Sequence, residues 1–220
     1  MRGTSPRSNP SPSPCRPGAA PGPMPSMTPA LRTMGTSGGS RGVGGYDGSV
    51  KTVLLGQRPA ELEALLAQRR ARGLDLFDEL WEDVLHMAPA PNAGHGIVAD
   101  ELAGVLRLAA RRAGLRGSGP FNLGSATDYR VPDGGYHRGA PSDVWLATAL
   151  IVVEIVSPDD ETYQKFDFYF SHGVEELVVA DPAARTVRWW QRGSKSFEPT
   201  DTSRLLGVDV ADVVSQIDWP

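Results

Sequence analysis

Three residues in the second half of the chain, Asp133, Glu154 and Lys165, have the types and order needed for metal-assisted hydrolysis. Asp133 follows Pro132 at the end of an extended segment. Glu154 comes 21 residues later, inside the β-branched and aliphatic run Leu150 to Val156. A carboxylate in a strand buried on both faces is expensive to desolvate unless a cation pairs with it. Two carboxylates converging at neighbouring strand ends make an all-oxygen site for a hard dication, with carbonyls and waters completing the shell. Lys165 follows Glu154 by 11 residues, on a helix that must pack back onto the same sheet. Its ammonium can orient an attacking water and stabilise charge at a phosphoryl transition state. Two carboxylates and a lysine are a minimal set for phosphodiester hydrolysis.

Each residue also has a plainer use. Asp133 can cap a turn in the Pro-Asp-Gly-Gly segment. Glu154 can pair with a structural arginine such as Arg130. Lys165 has Glu161 four residues before it, the favoured order for a surface ion pair. His95, one of four histidines, stands near a helix start, where a lone histidine is more often a satisfied polar residue than a ligand. Of the adjacent pair Trp189-Trp190, at least one must face the core, because neighbouring strand residues point to opposite sides.

The elements that would position these residues follow from pattern. Four to eight apolar residues bounded by turn signals make Leu150–Val156 a buried strand ending at Ser157-Pro158. A helix follows from about Asp159 to His172, stopped by Gly173. Upstream, Pro59 and Gly73 bracket a short amphipathic helix over 58–72 with Leu62, Leu65, Leu66 and Arg69 on one face. Residues 76–88 roughly alternate and predict a strand or hairpin. Asn92 can cap a helix whose apolar stripe (Ile97, Val98, Leu102, Val105, Leu106, Ala109) runs to Gly114. Strands are expected at 121–123 and 129–131, a Gly-, Pro- and His-rich loop at 134–143, and a hairpin from 177–180 with 186–191. The final LLGVDVADVV predicts a short strand and helix. This order implies an α/β or α+β domain on one mixed central sheet flanked by helices.

Composition sets the frame. The first 50 of the 220 residues hold 9 Pro, 10 Gly and 8 Ser, so residues 1–50 are expected to be a disordered tail and 51–220 the domain. The tail carries five Arg against one Asp; with a whole-chain net charge of −4, the remaining 170 residues carry −8. Bulk charge therefore gives no support to strong nucleic-acid binding. Cys15 is the only cysteine, so neither a disulfide framework nor a thiolate metal site forms within one chain. The N-terminus shows no apolar core of a secretory signal. The longest apolar stretch is too short to span a bilayer, and the expectation is a soluble, cytoplasmic protein without a membrane partner.

An ordered run of motifs then resembles a known family. Arg130-Val131-Pro132-Asp133, Ile151-Val152-Val153-Glu154-Ile155-Val156-Ser157-Pro158, Lys165 with Tyr169, Gly173-Val174-Glu175-Glu176 and Val179-Ala180-Asp181-Pro182 match in order. So do Glu79-Leu80-Trp81-Glu82 through Ala88-Pro89, and His95. Together they resemble the Uma-type restriction endonucleases of the PD-(D/E)XK nuclease superfamily over about residues 74–214. The resemblance implies a restriction-endonuclease-like core and Mg²⁺ (or Mn²⁺) on Asp133 and Glu154. It also implies that Lys165 positions or deprotonates the attacking water, with His95 and Glu82 as accessory residues. In the general superfamily pattern the lysine stands two residues after the glutamate, where this chain has Val156. Lys165 on the following helix would replace it, a relocation the Uma-type family itself shows. The implied activity is endonucleolytic hydrolysis of DNA. The alternative is a catalytically inactive nuclease-fold module that binds nucleic acid or protein. Cutting both strands of a duplex would favour a homodimer.

Overall fold

A computed structural model describes residues 60–157 and 161–220, with the backbone of 52–54. The expected Pro/Gly/Ser-rich tail lies outside the described residues, as do the expected helix starts at Pro59 and Asp159. The chain divides into two units, Met1–Gly45 and Tyr46–Pro220, and the second is described below.

In chain order the elements are β1 (Thr52–Leu54), α1 (Ala60–Ala71), β2 (Glu79–Trp81), β3 (Val84–Met87) and α2 (Ala93–Arg112). Then come β4 (Leu115–Ser118), β5 (Asn122–Ser125), β6 (Asp128–Arg130), β7 (Gly134–Arg138), β8 (Trp145–Leu146) and β9 (Ile151–Ile155). A 3₁₀ turn (Thr162–Lys165) runs into α3 (Phe166–Ser171). The chain continues with β10 (Glu176–Asp181), β11 (Thr186–Arg192), β12 (Phe197–Thr200), β13 (Thr202–Ser203), β14 (Val208–Asp209) and α4 (Val210–Gln216).

The main sheet has the order β12-β11-β10-β9-β7-β4. Only β9 and β10 run parallel; the other pairings are antiparallel. A parallel pair needs a crossover, and the 3₁₀ turn with α3 supplies it. All five residues of β9 are buried, Glu154 among them, as a mainly apolar run covered on both faces requires. Their side chains alternate. Ile151, Val153 and Ile155 join one core with Val98, Leu102 and Leu106 of α2 and Val213 of α4. Val152 faces a second core with Phe168 and Tyr169 of α3 and Leu123 of β5. Glu154 therefore lies on the α3 side. A second sheet has the order β1-β3-β2-β6-β5-β8.

Asn92 caps α2: its side chain accepts the His95 backbone N–H at 2.9 Å. Val98, Leu102, Leu106 and Ala110 bury one stripe, while Ile97 is exposed. The 76–88 alternation resolves into the hairpin β2–β3, whose turn residues Glu82 and Asp83 both have positive φ, 46° and 70°. That geometry matches strand twist but normally selects Asn or Gly, so composition gave no sign of it. Of the tryptophan pair, Trp189 is buried and Trp190 only half-buried.

Three expectations need correction. α1 forms, yet none of its residues is buried and Leu65 is exposed. The helix end is held by polar contacts instead: Arg69 pairs with the buried Asp78 at 3.0 Å and donates to the Leu74 carbonyl at 2.7 Å. The segment expected as a loop from 134 begins as β7, an inner strand between β4 and β9. Its Gly-Gly start reads as a turn because glycine is a poor strand former. Here close approach requires it: a Cβ at Gly135 would lie 2.7 Å from the Phe121 ring and 3.0 Å from the Ile151 carbonyl oxygen. Finally, the helix expected to reach from 159 to 172 is in its described part a 3₁₀ turn followed by the six-residue α3.

Candidate active site

The register of β7 on β9 explains how two distant carboxylates meet. Gly134 pairs with Val153 and Gly135 with Val152, so one further step sets Asp133 opposite Glu154. Asp133 has already left the strand, and its Oδ2 accepts the Ile155 backbone N–H at 2.7 Å. Its Oδ1 lies 2.8 Å from His95 Nε2, at the first turn of α2, and His95 Nδ1 lies 3.2 Å from Ser157 Oγ. Asp133 thus ties α2 to the main sheet rather than capping a local turn.

Glu154 is 3 % exposed and Lys165 8 %. Lys165 Nζ lies 3.2 Å from Glu154 Oε1 and 3.5 Å from Oε2. It lies closer still, 2.9 Å, to Oε1 of Glu79 on β2. The Tyr169 hydroxyl, on α3 and fully buried, donates to Glu154 Oε1. Glu79 is fixed in turn: its Oε1 accepts the Val131 N–H at 2.9 Å and its Oε2 accepts Trp81 Nε1–H at 2.6 Å.

The plainer uses are taken by other residues. Arg130 does not meet Glu154. Its guanidinium lies 3.9 Å from the Phe168 ring centre and 4.4 Å from that of Trp81, and it donates to Asp128 at 2.8 Å. Glu161 pairs with His86 Nδ1 at 3.0 Å, not with Lys165.

Three carboxylates around one ammonium leave the cluster short of positive charge. Burial pushes the Glu154 carboxyl up to about 8; Lys165 opposes the rise, while the charges of Asp133 and Glu79 add to it. Burial by itself would lower the Lys165 ammonium, but Glu154 and Glu79 outweigh it and hold the group above the ordinary lysine range. Both directions follow from one shortage of positive charge: Lys165 is held in its charged form, and Glu154 is pushed toward its protonated one. Tyr169 is driven well above its usual range by burial and by the same carboxylates, so its hydroxyl stays a donor.

Of the residues expected at the site, Asp133, Glu154, Lys165 and His95 come together and Glu82 does not. Glu82 sits exposed in the β2–β3 turn, where its backbone N–H lies 3.3 Å from Asp128 Oδ1. Glu79, three residues earlier, supplies the carboxylate in its place. Sequence reasoning missed it because a two-residue turn of unusual composition hid the true strand ends, and with them which residues face inward. Tyr169 stood among the matched motif residues without a role; its spacing of four from Lys165 gives the adjacency.

A hard dication suits these donors. Both oxygens of Asp133 and Oε2 of Glu154 keep a second lone-pair direction beyond the hydrogen bonds above. Among the described residues no group of three or more His, Cys, Asp or Glu side chains could hold a metal ion. Two carboxylates alone, Asp133 and Glu154, would leave most of an ion's shell to water, which Mg²⁺ tolerates. The charge deficit favours such an ion further.

Among the described residues no helix is long and apolar enough to cross a membrane. No curated protein matches the chain. A solved structure is similar in fold: a protein from Anabaena variabilis described as "a putative nuclease belonging to DUF820", with a TM-score of 0.53 and 16 % identity. That likeness covers 64 % of this chain and 90 % of the other, and it agrees with the expected restriction-endonuclease-like core. The model of the family described as "Uma2: Putative restriction endonuclease" matches residues 62–215, which contain every residue of the cluster. The chain belongs to the Uma2 family of restriction-endonuclease-like proteins.

Proposed function

We propose that the protein is a Mg²⁺- or Mn²⁺-dependent endonuclease that hydrolyses DNA phosphodiester bonds with water as the nucleophile. The observation that carries this reading is the meeting of Asp133, Glu154 and Lys165 in a domain of the Uma2 family. Asp133 and Glu154 would hold the cation, which supplies positive charge at the phosphoryl oxygens and lowers the pKa of water. His95 and the Ile155 N–H fix Asp133, and Tyr169 fixes Glu154. Lys165 has three N–H bonds. Glu79 and Glu154 engage two directions, and the third is left for a water or a phosphoryl oxygen.

Cleavage of supercoiled plasmid tests the proposal. Asp133→Asn, Glu154→Gln and Lys165→Gln should each lower the Mg²⁺-dependent rate by about a hundredfold or more, with unfolding transitions retained. An equal-length RNA in parallel separates DNA from RNA as substrate. Light scattering checks the two-fold dimer that cutting a duplex would favour.

One observation favours the non-catalytic alternative: Glu154 and Lys165 are buried against each other, as in a structural ion pair. Wild type that cleaves nothing with Mg²⁺ or Mn²⁺ would decide for it.

A further inference from the structure

A groove of about 970 Å³ runs along α2, with β4 and the start of β7 on its other side, and Asp133 at its lining. It lies on the sheet face opposite Glu154 and Lys165, among residues such as Val153 and Ile155, so Asp133 is the one member of the site that it touches. Three arginines line it: Arg107 and Arg111, one turn apart on α2, and Arg116 on β4. All three are exposed, and among the described residues none makes an ion pair. Their opposition within the groove is Asp100 and Asp133.

This placement runs against the bulk charge. Residues outside the first 50 carry a net −8, yet three guanidinium groups with no ion pair among the described residues share one groove that Asp133, a proposed catalytic carboxylate, also lines. Guanidinium presents a planar fork of donors that matches phosphate oxygens. The groove also has bare stretches of backbone. A Cβ at Gly96 or Gly119 would meet nothing within 4 Å, so a ligand can approach the main chain there. Apolar walls with spaced arginines, whose one aromatic lining residue, Tyr136, is buried rather than presented for stacking, suit a sugar-phosphate backbone better than bases.

We infer that this groove seats the phosphate backbone of the nucleic-acid strand leading to the cut site, with Arg107, Arg111 and Arg116 as phosphate contacts. The inference rests on the nuclease reading for the identity of the ligand. It places non-specific affinity on the α2 side of the sheet and leaves hydrolysis to the cluster around Lys165.

The test uses the full chain in EDTA and fluorescence anisotropy with labelled single-stranded DNA, duplex DNA and RNA of equal length. The variant Arg107→Gln/Arg111→Gln/Arg116→Gln should bind about tenfold more weakly or worse. Its log K against log salt should lose about two units of slope on single-stranded DNA, from about 0.7 per phosphate contact. The three Arg→Lys changes should restore the salt slope, since lysine keeps the charge, but only part of the affinity, since lysine lacks the fork. Gly96→Leu adds bulk in the groove without a clash at its Cβ, and should weaken binding with no loss of Tm. Unchanged affinity and slope in the folded triple Gln variant would overturn the inference, as would a wild type that binds none of the three ligands at low salt. Mg²⁺-dependent hydrolysis of bis(4-nitrophenyl) phosphate, too small to need the groove, separates the two proposals. Hydrolysis by wild type with arginine-independent binding sinks the groove alone. Arginine-dependent binding without hydrolysis sinks the catalytic reading alone.

Discussion

At the scale of single residues, Glu154 and Lys165 should respond unequally to removal. Breaking a buried charge cluster by taking away its only ammonium leaves carboxylates uncompensated, and Lys165→Met should cost about 3–5 kcal/mol in EDTA by urea unfolding. Glu154→Gln removes a group already pushed up to about 8 and should cost far less. The pH dependence follows from the same shift. The folded state holds the Glu154 proton above the ordinary carboxyl value of 4.5, so between 4.5 and about 8 it binds more protons than the unfolded state. The contribution is fully present below 4.5 and is lost as pH rises through about 8. In EDTA, wild-type stability relative to Glu154→Gln should fall over that window; a flat difference between the two proteins would refute the assignment. Tyr169→Phe removes one buried donor to Glu154 and should cost about 1–3 kcal/mol. At this scale the sequence was informative where chemistry restricts residue type. An acid inside an apolar strand had to find a cation, and it did. Which further acid joins them depended on β2, eight elements earlier in the chain.

Elements set these positions through register and close approach. The β9 strand, the α2 cap at Asn92 and the β10–β11 hairpin were legible because periodicity and turn chemistry agree there. The strand β7 was not, because two glycines after Pro-Asp imitate a turn, and only the facing Phe121 ring and the β9 backbone show why they are needed. That reason is measurable. Gly135→Ala forces a Cβ against Phe121 and Ile151 and should destabilise by about 1–3 kcal/mol. Gly104→Ala, in the middle of α2 with nothing within 4 Å of the added Cβ, should stabilise by about 0.5–1 kcal/mol. Thermal unfolding of the two variants side by side separates packing from propensity. The long α2 and the exposed α1 show the limit of stripe reading: both have apolar spacing, but only α2 has a sheet face to cover.

For the whole molecule, a dication bound only by the native state raises global stability by mass action, about 2.7 kcal/mol at a hundred times Kd. Millimolar Mg²⁺ or Mn²⁺ should therefore raise the Tm of wild type, and the rise should vanish in Glu154→Gln. No shift in wild type would count against a cation site that forms without substrate. Family, sheet class and the meeting of Asp133, Glu154 and Lys165 lay within reach of sequence because motif order survives in one dimension. The two-faced arrangement did not, because it depends on which side of β9 each helix packs. The cluster draws on β2, the β6–β7 junction, β9 and the 3₁₀–α3 crossover, and β9 becomes an inner strand only when β10 pairs with it. During synthesis on the ribosome, then, no chain that stops short of β10 (Glu176–Asp181) holds every part of the cluster. Its first acid emerges near the start of the domain, while its lysine and the strand that locks the sheet emerge about a hundred residues later. Whatever chemistry the cluster performs is withheld from the nascent chain until β10 has followed.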